Sequence, residues 1–117
     1  MIKMEIRKSK ILNGEQDGLF STERFEIGSI IYTLSGKRLT YPTRESIHIG
    51  NNEHIVDPMG SYINHSFTPN TIIKGANVIA IKLISPGDEL TFNYNHSELV
   101  MACPFTVNGV SVHGSNP

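Results

Sequence analysis

Nowhere in this chain do apolar residues recur at helical spacing for more than a turn or two, and that absence constrains the fold most. The apolar residues come instead in short runs, each closed off by a turn signal. Met1 to Ile6 alternates apolar and charged residues, and an alternating strand extends to Arg7. The polar loop Asn13-Gly14-Glu15-Gln16-Asp17-Gly18 leads into Leu19-Phe20, and Glu26-Ile27-Gly28 forms a turn before the run Ser29 to Leu34. Ser46 to Gly50 and His54 to Asp57 flank Asn51-Asn52, a hairpin signal that sets His48 opposite His54. Thr71 to Ile73 and Val78 to Ile84 flank Lys74-Gly75-Ala76-Asn77, a second hairpin. Ser85-Pro86-Gly87-Asp88 is a turn, followed by a strand from Glu89 to Tyr94. Only Ser97 to Cys103 offers a short helix, stopped by Pro104. With no repeat, low-complexity tract or linker, the chain reads as one mostly-β domain over residues 1–117.

A chain of 117 residues with 38% hydrophobic residues can bury one sizeable core and is too short for two. Ten basic residues against eleven acidic ones leave no electrostatic footprint for nucleic acid or a membrane surface. Lys3, Arg7, Lys8 and Lys10 cluster at the start, but the alternation there favours a solvated edge strand over a basic arm. No apolar run approaches the roughly 18 residues of a membrane span, and no signal peptide opens the chain. The single cysteine, Cys103, excludes an intramolecular disulfide and an all-cysteine zinc site within one chain. The expected setting is soluble and intracellular, cytoplasmic or nuclear.

The stretch Ile63-Asn64-His65-Ser66-Phe67-Thr68-Pro69-Asn70-Thr71 puts a dense polar cluster between two strand-like runs. Pro69-Asn70 suffices for a turn; the Asn-His-Ser triplet before it is surplus to that need. His65 and Ser66 do not read as a nucleophilic pair, because neighbours in extended chain point to opposite faces. Ser66 reads as a local backbone partner. No Gly-x-Ser-x-Gly elbow, His-Glu-x-x-His pair or phosphate loop occurs. His48 and His54, even face to face, supply only two metal ligands. A small-molecule site read by backbone and side-chain groups remains.

Asn64-His65-Ser66-Phe67-Thr68-Pro69-Asn70 resembles the Asn-His-Ser-x-x-Pro-Asn signature of SET domains. Pro86-Gly87-Asp88-Glu89-Leu90-Thr91-Phe92-Asn93-Tyr94 is similar to that family's second signature, and Asp17-Gly18-Leu19-Phe20-Ser21 with Phe25-Glu26-Ile27-Gly28 to its opening segment. The three segments follow in family order, covering about residues 12–95, with 96–117 left as a tail or flap. The resemblance implies a β-clip-like fold of small curved sheets with a C-terminal pseudoknot. It implies S-adenosylmethionine-dependent methylation of a lysine on a protein or peptide, histone-like substrates among the candidates, by a monomer or homodimer. A module that keeps the fold and binds cofactor or peptide without turnover is the alternative.

By the same resemblance, Asn64 holds the amino-acid end of the cofactor, and His65 meets its adenine mainly through backbone. Glu15, Gln16, Asp17, Gly18 and Leu19 supply backbone groups from the other side, and Phe105 belongs to an apolar flap over the site. Tyr94 stands beside the transferring methyl. Phe92, Ile73 and Tyr62 are expected along the lysine channel. Phe92 and Ile73 lack a hydroxyl to hold a blocking water there, which implies progress beyond monomethyl-lysine.

The chain departs from the fuller family pattern in its tail. Many members carry a zinc cluster with one cysteine directly after Asn-His-Ser and a Cys-x-Cys after the tyrosine. Phe67, Val107 and Gly109 stand at those places, so no zinc is expected. Gln16 also replaces the first glycine of the usual Gly-x-Gly. Elemental analysis of the purified protein should find no stoichiometric zinc; one equivalent per chain overturns this reading of the tail.

Overall fold

A computed structural model describes residues 3–9, 16–43, 46–50, 53–97, 105–107 and 110–112. Small sheets dominate it. Strand β1 (Met4–Lys8) pairs antiparallel with β2 (Asp17–Ser21). The cations of this first hairpin are matched locally: Lys3 with Glu23, Arg7 with Glu5 and Lys8 with Asp17. That is the solvated edge strand of the sequence reading; Lys10 lies outside the described residues.

Strand β3 (Ile30–Thr33) packs into a three-stranded antiparallel sheet with β8 (Thr71–Lys74) and β9 (Asn77–Ala80), with β9 in the middle. The β8–β9 hairpin turns on Gly75, whose φ of 59° a β-branched residue would resist. Thr71, Val78 and Ala80 point inward and are buried, while Ile72 and Lys74 point out, as a period of two requires. A second three-stranded sheet runs β4 (Lys37–Leu39), β6 (Glu53–Val56) and β5 (Ile47–Gly50). The hairpin expected around Asn51-Asn52 is present as the β5–β6 pair, though those two residues lie outside the description. His48 pairs with His54 as expected, their ring centroids 5.0 Å apart.

Several boundaries differ from the expectation. The strand read from Val78 to Ile84 stops at Ala80; Ile84 makes only an isolated bridge to Phe25. Glu89 to Tyr94 is not one strand. Only β10 (Thr91–Phe92) pairs as a strand, and Tyr94 already opens the short helix α1 (Tyr94–Ser97). The reason is Asn93, whose side-chain oxygen accepts from Asn95 N at 2.9 Å and caps the first turn. The helix expected at Ser97 to Cys103 therefore begins earlier, and residues 98–103 lie outside the description. In the tail, β11 (Phe105–Val107) and β12 (Val110–Val112) pair antiparallel, with Val112 wholly buried.

The parallel element is the one that matters for the site. Strand β7 (Asn64–His65) pairs with β10, Asn64 with Thr91 and His65 with Phe92. On its other side the same segment touches β2: Phe20 bridges Glu89, Leu90 N donates to Leu19 O, and Ser21 N donates to Asp88 O. Residues 87–92 thus thread between β2 and β7, the crossing implied by a pseudoknot. Leu19, Ile55, Ile63, Val78, Ile84 and Leu90 form the centre of the core beneath them. Among the described residues no helix is long and apolar enough to cross a membrane.

Burial sets the chemistry of His54. His54 has its pKa lowered from the ordinary value, first by desolvation and then by repulsion from His48. Its Nδ1 is buried without a hydrogen-bond partner. The unfolded chain therefore binds the proton more readily than the folded one. The stability contributed is full above about pH 6.5, the unperturbed histidine value, and declines as pH falls below it. Melting temperature should drop between pH 7 and 5.5, and His54→Gln should flatten most of that drop. An unchanged slope in the variant would show that other groups carry the titration.

Candidate functional site

The polar stretch that looked surplus to a turn is a lattice of side-chain bonds to the second signature. Asn70 carries most of it. Its Oδ1 accepts from Thr91 N at 2.9 Å and its Nδ2 donates to Glu89 O at 2.8 Å, so one amide stands in for a strand partner. Thr71 Oγ1 donates to Thr91 O at 2.6 Å. Ser66 N donates to Phe92 O, and Ser66 Oγ accepts from Thr68 N, the local backbone role expected of it.

The approach to this strand is held by a carboxylate. Asp57 is fully buried and accepts from Ser35 N, Met59 N, Gly60 N and the hydroxyl of Tyr32, all at 2.7–2.9 Å. Those bonds start a 3-10 turn over Gly60–Tyr62 that delivers Ile63 to the core and Asn64 to the site. Burial, helped by the hydrogen bond and charge of Asp57, pushes the Tyr32 hydroxyl up to about 12. Tyr32 therefore stays a donor to Asp57 at any physiological pH.

His65 is buried, and its Nδ1 accepts from Tyr94 N at 3.1 Å. An accepting Nδ1 places the proton of the neutral ring on Nε2. The same bond satisfies the first N–H of α1, so His65 and Asn93 together cap the helix that carries Tyr94. The His65 ring meets Phe67 edge-on at 4.5 Å and Tyr94 at 5.2 Å. Tyr94 is half-buried, its ring 4.6 Å from that of Phe92. Its hydroxyl donates to Ile63 O at 2.6 Å, reaching the residue immediately before Asn64.

Asn64 is 8% exposed, and its amide is heavily used. Nδ2 donates to Asp17 O and to Glu89 Oε2, each at 3.0 Å, and Oδ1 accepts from Gln16 Nε2 at 2.7 Å. Glu89 also accepts from Ser9 Oγ at 2.8 and 3.0 Å. Gly18 is the floor of this cluster: a Cβ there would come within 2.5 Å of Glu89 Oε2 and 3.2 Å of Asn64 Nδ2. A side chain there would displace the Glu89 carboxylate from this position.

The expected site residues thus fall into groups. Gln16, Asp17, Gly18 and Asn64 meet in one polar cluster, with His65, Phe92 and Tyr94 beside it across the β7–β10 pair. Leu19 is in the core, its carbonyl taken by Leu90 N. Ile73 lines the inner face of β8 opposite Val78, and Tyr62 ends the 3-10 turn, 37% exposed. Phe105 opens β11, and Glu15 lies outside the described residues. Sequence reading gave no role to Glu89, Ser9, Asn70 or Asp57. The available signal for Glu89 was a carboxylate set directly before the apolar Leu90, which is wholly buried. Among the described residues no three His, Cys, Asp or Glu side chains group as a metal site would. A groove of about 480 Å³ opens elsewhere, beside Lys3, Phe25, Ile30, Tyr32 and Met59, and no residue of 63–71 or 86–94 lines it.

Comparison with known proteins agrees with this fold. The SET domain profile matches residues 16–95. Among solved structures, an active polycomb repressive complex 2 in the basal state aligns with TM-score 0.68 and 23% identity, over 78% of this chain and 15% of that one. The Chaetomium thermophilum polycomb repressive complex 2 gives 0.67 at 22% identity with the same coverage of both chains. A third, ctPRC2 in an autoinhibited conformation bound to S-adenosylmethionine, gives 0.65 at 21%, over 78% of this chain and 15% of that one. At these identities the likeness is one of fold, and this chain spans about 15% of the length of theirs. No curated protein sequence matches significantly. With the profile covering more than half of its residues and both signature segments paired side by side, the chain belongs to the SET-domain family.

Proposed function

We propose that this protein transfers a methyl group from S-adenosylmethionine to a lysine side chain of a protein or peptide. The observation that carries the proposal is the joining of Asn64, His65 and Tyr94 through the β7–β10 crossing, with Tyr94 hydroxyl bound to Ile63 O. When bound, S-adenosylmethionine supplies an electrophilic methyl group that a neutral lysine amine takes up, leaving S-adenosylhomocysteine.

The donor set suits a cationic cofactor. Asn64 Oδ1 is an acceptor and Glu89 a carboxylate, and both sit in the polar cluster between β2 and β7. Gln16, Asp17 and Gly18 border the same cluster, and Asn64 would take the amino-acid end of the ligand. His65, its Nδ1 occupied by Tyr94 N, would meet the adenine through backbone.

Tyr94 has a defined electronic role. Its proton is pinned on Ile63 O, so the hydroxyl presents oxygen lone pairs to the remaining side. Lone pairs facing an electron-poor C–H group provide weak but aligned stabilisation. Phe92 and Tyr94 supply aromatic surface that excludes water, and a dry wall disfavours the charged form of lysine, whose ordinary pKa is about 10.4. Phe92, Ile73 and Tyr62 remain the candidates for the channel.

Two variants separate binding from chemistry. Asn64→Ala should weaken S-adenosylmethionine affinity about ten- to a hundredfold, the cost of a lost bond to a charged group. Tyr94→Phe should leave calorimetric affinity within about threefold while lowering the single-turnover rate about a hundred- to a thousandfold, as for other positioned polar groups. If Tyr94→Phe loses affinity as badly as Asn64→Ala, with no separate effect on rate, Tyr94 is not catalytic. If the wild type binds cofactor yet methylates nothing across a broad lysine-peptide array, the binding-module alternative takes its place.

A further inference from the structure

The geometry points to Glu89 as a positioning residue that locks the Asn64 amide so that this site accepts only a hydrogen-bond donor, the ammonium of the cofactor's amino-acid end. This inference rests on the function proposed above and adds a residue to it. The Asn64 amide has two protons and one oxygen. Both protons are committed, one to the main-chain oxygen of Asp17 and one to Glu89 Oε2. Neither partner can donate, since a carbonyl and a carboxylate only accept, and so the amide cannot reverse. Its oxygen faces the other way and holds Gln16 Nε2 with one of its two lone pairs.

Three further contacts fix Glu89 in place. Ser9 Oγ donates to its carboxylate at 2.8 and 3.0 Å. Its main-chain oxygen is held by Asn70 Nδ2 at 2.8 Å. Gly18 leaves the space the carboxylate needs, since a Cβ there would stand 2.5 Å from Oε2. The carboxylate therefore lies against the β2 backbone within reach of Asn64, and it is placed by three separate segments of the chain. Its negative charge adds to the preference for a cationic ligand group. A ligand carboxylate at this spot would meet an acceptor and a like charge.

The test uses a pair of ligands that differ only in the group concerned: S-adenosylhomocysteine and its analogue lacking the α-amino group, each titrated calorimetrically. The wild type should bind the desamino analogue about ten- to a hundredfold more weakly, the usual cost of a lost charge-assisted bond. In Glu89→Gln, a carboxamide free to flip leaves the Asp17 oxygen as the one fixed acceptor holding the Asn64 amide, and the gap between the two ligands should shrink to about threefold or less. A merely structural role would weaken both ligands alike and leave the gap intact, which overturns the inference. A wild-type gap near unity overturns it too. If Glu89→Gln does not fold, Ser9→Ala, which removes one donor to the carboxylate but keeps its charge, should narrow the gap in the same direction, and an unchanged gap there overturns it. Should the wild type bind neither ligand, cofactor binding itself is refuted, and the inference falls with it.

Discussion

Two residues of parallel pairing, Asn64–His65 against Thr91–Phe92, hold together everything that has a claim on function. A ladder that short contributes little by itself, because strand pairs gain from length and from cross-strand neighbours. The crossing survives because side chains extend it at both ends. Asn70 and Thr71 bind the backbone of residues 89 and 91, and His65 binds the first amide of the helix beyond. Each is a buried or half-buried polar group with a partner, the condition under which burial of polar atoms is tolerated. The polar richness of residues 64–71 is therefore the strand pairing itself, made by side chains where backbone runs out.

Asp57 does comparable work upstream. Buried carboxylates are costly unless fully bonded, and this one has main-chain donors on both sides of it in sequence, from Ser35 and from Met59 and Gly60. It ties β3, through Tyr32, to the turn that launches the first signature. Gly60 leaves room there, since a Cβ would stand 2.5 Å from Leu34 Cδ2 and force that side chain to move. Removing the carboxylate would strand several donors at once, which is why its influence on the site exceeds that of any single bond.

How much of this was legible in the sequence follows from what each feature depends on. The hairpins β5–β6 and β8–β9 could be read because turn chemistry and alternation are local. The short strands β4 and β7 could not, because two or three residues carry no period. The Glu89 to Tyr94 strand was overread for a related reason: its composition favours extension, and the capping preference of Asn93 won within one residue. In the site, the residue types of Asn64, His65 and Tyr94 were visible through a resemblance. The parts played by Glu89, Ser9 and Gly18 were not, since they depend on which distant backbone a side chain reaches.

Those distances have a kinetic side. Gln16 is 48 residues from Asn64, Tyr94 is 31 from Ile63, and Ser9 is 80 from Glu89. The bonds that define the site are thus among the least local in the molecule, and closing such loops costs chain entropy before any contact repays it. A fold with this contact order belongs among the slower small domains, with the β5–β6 and β8–β9 hairpins free to form early. The threaded segment 87–92 must then find β2 and β7 together, so on a chain emerging from synthesis the site is absent until residue 92 has appeared.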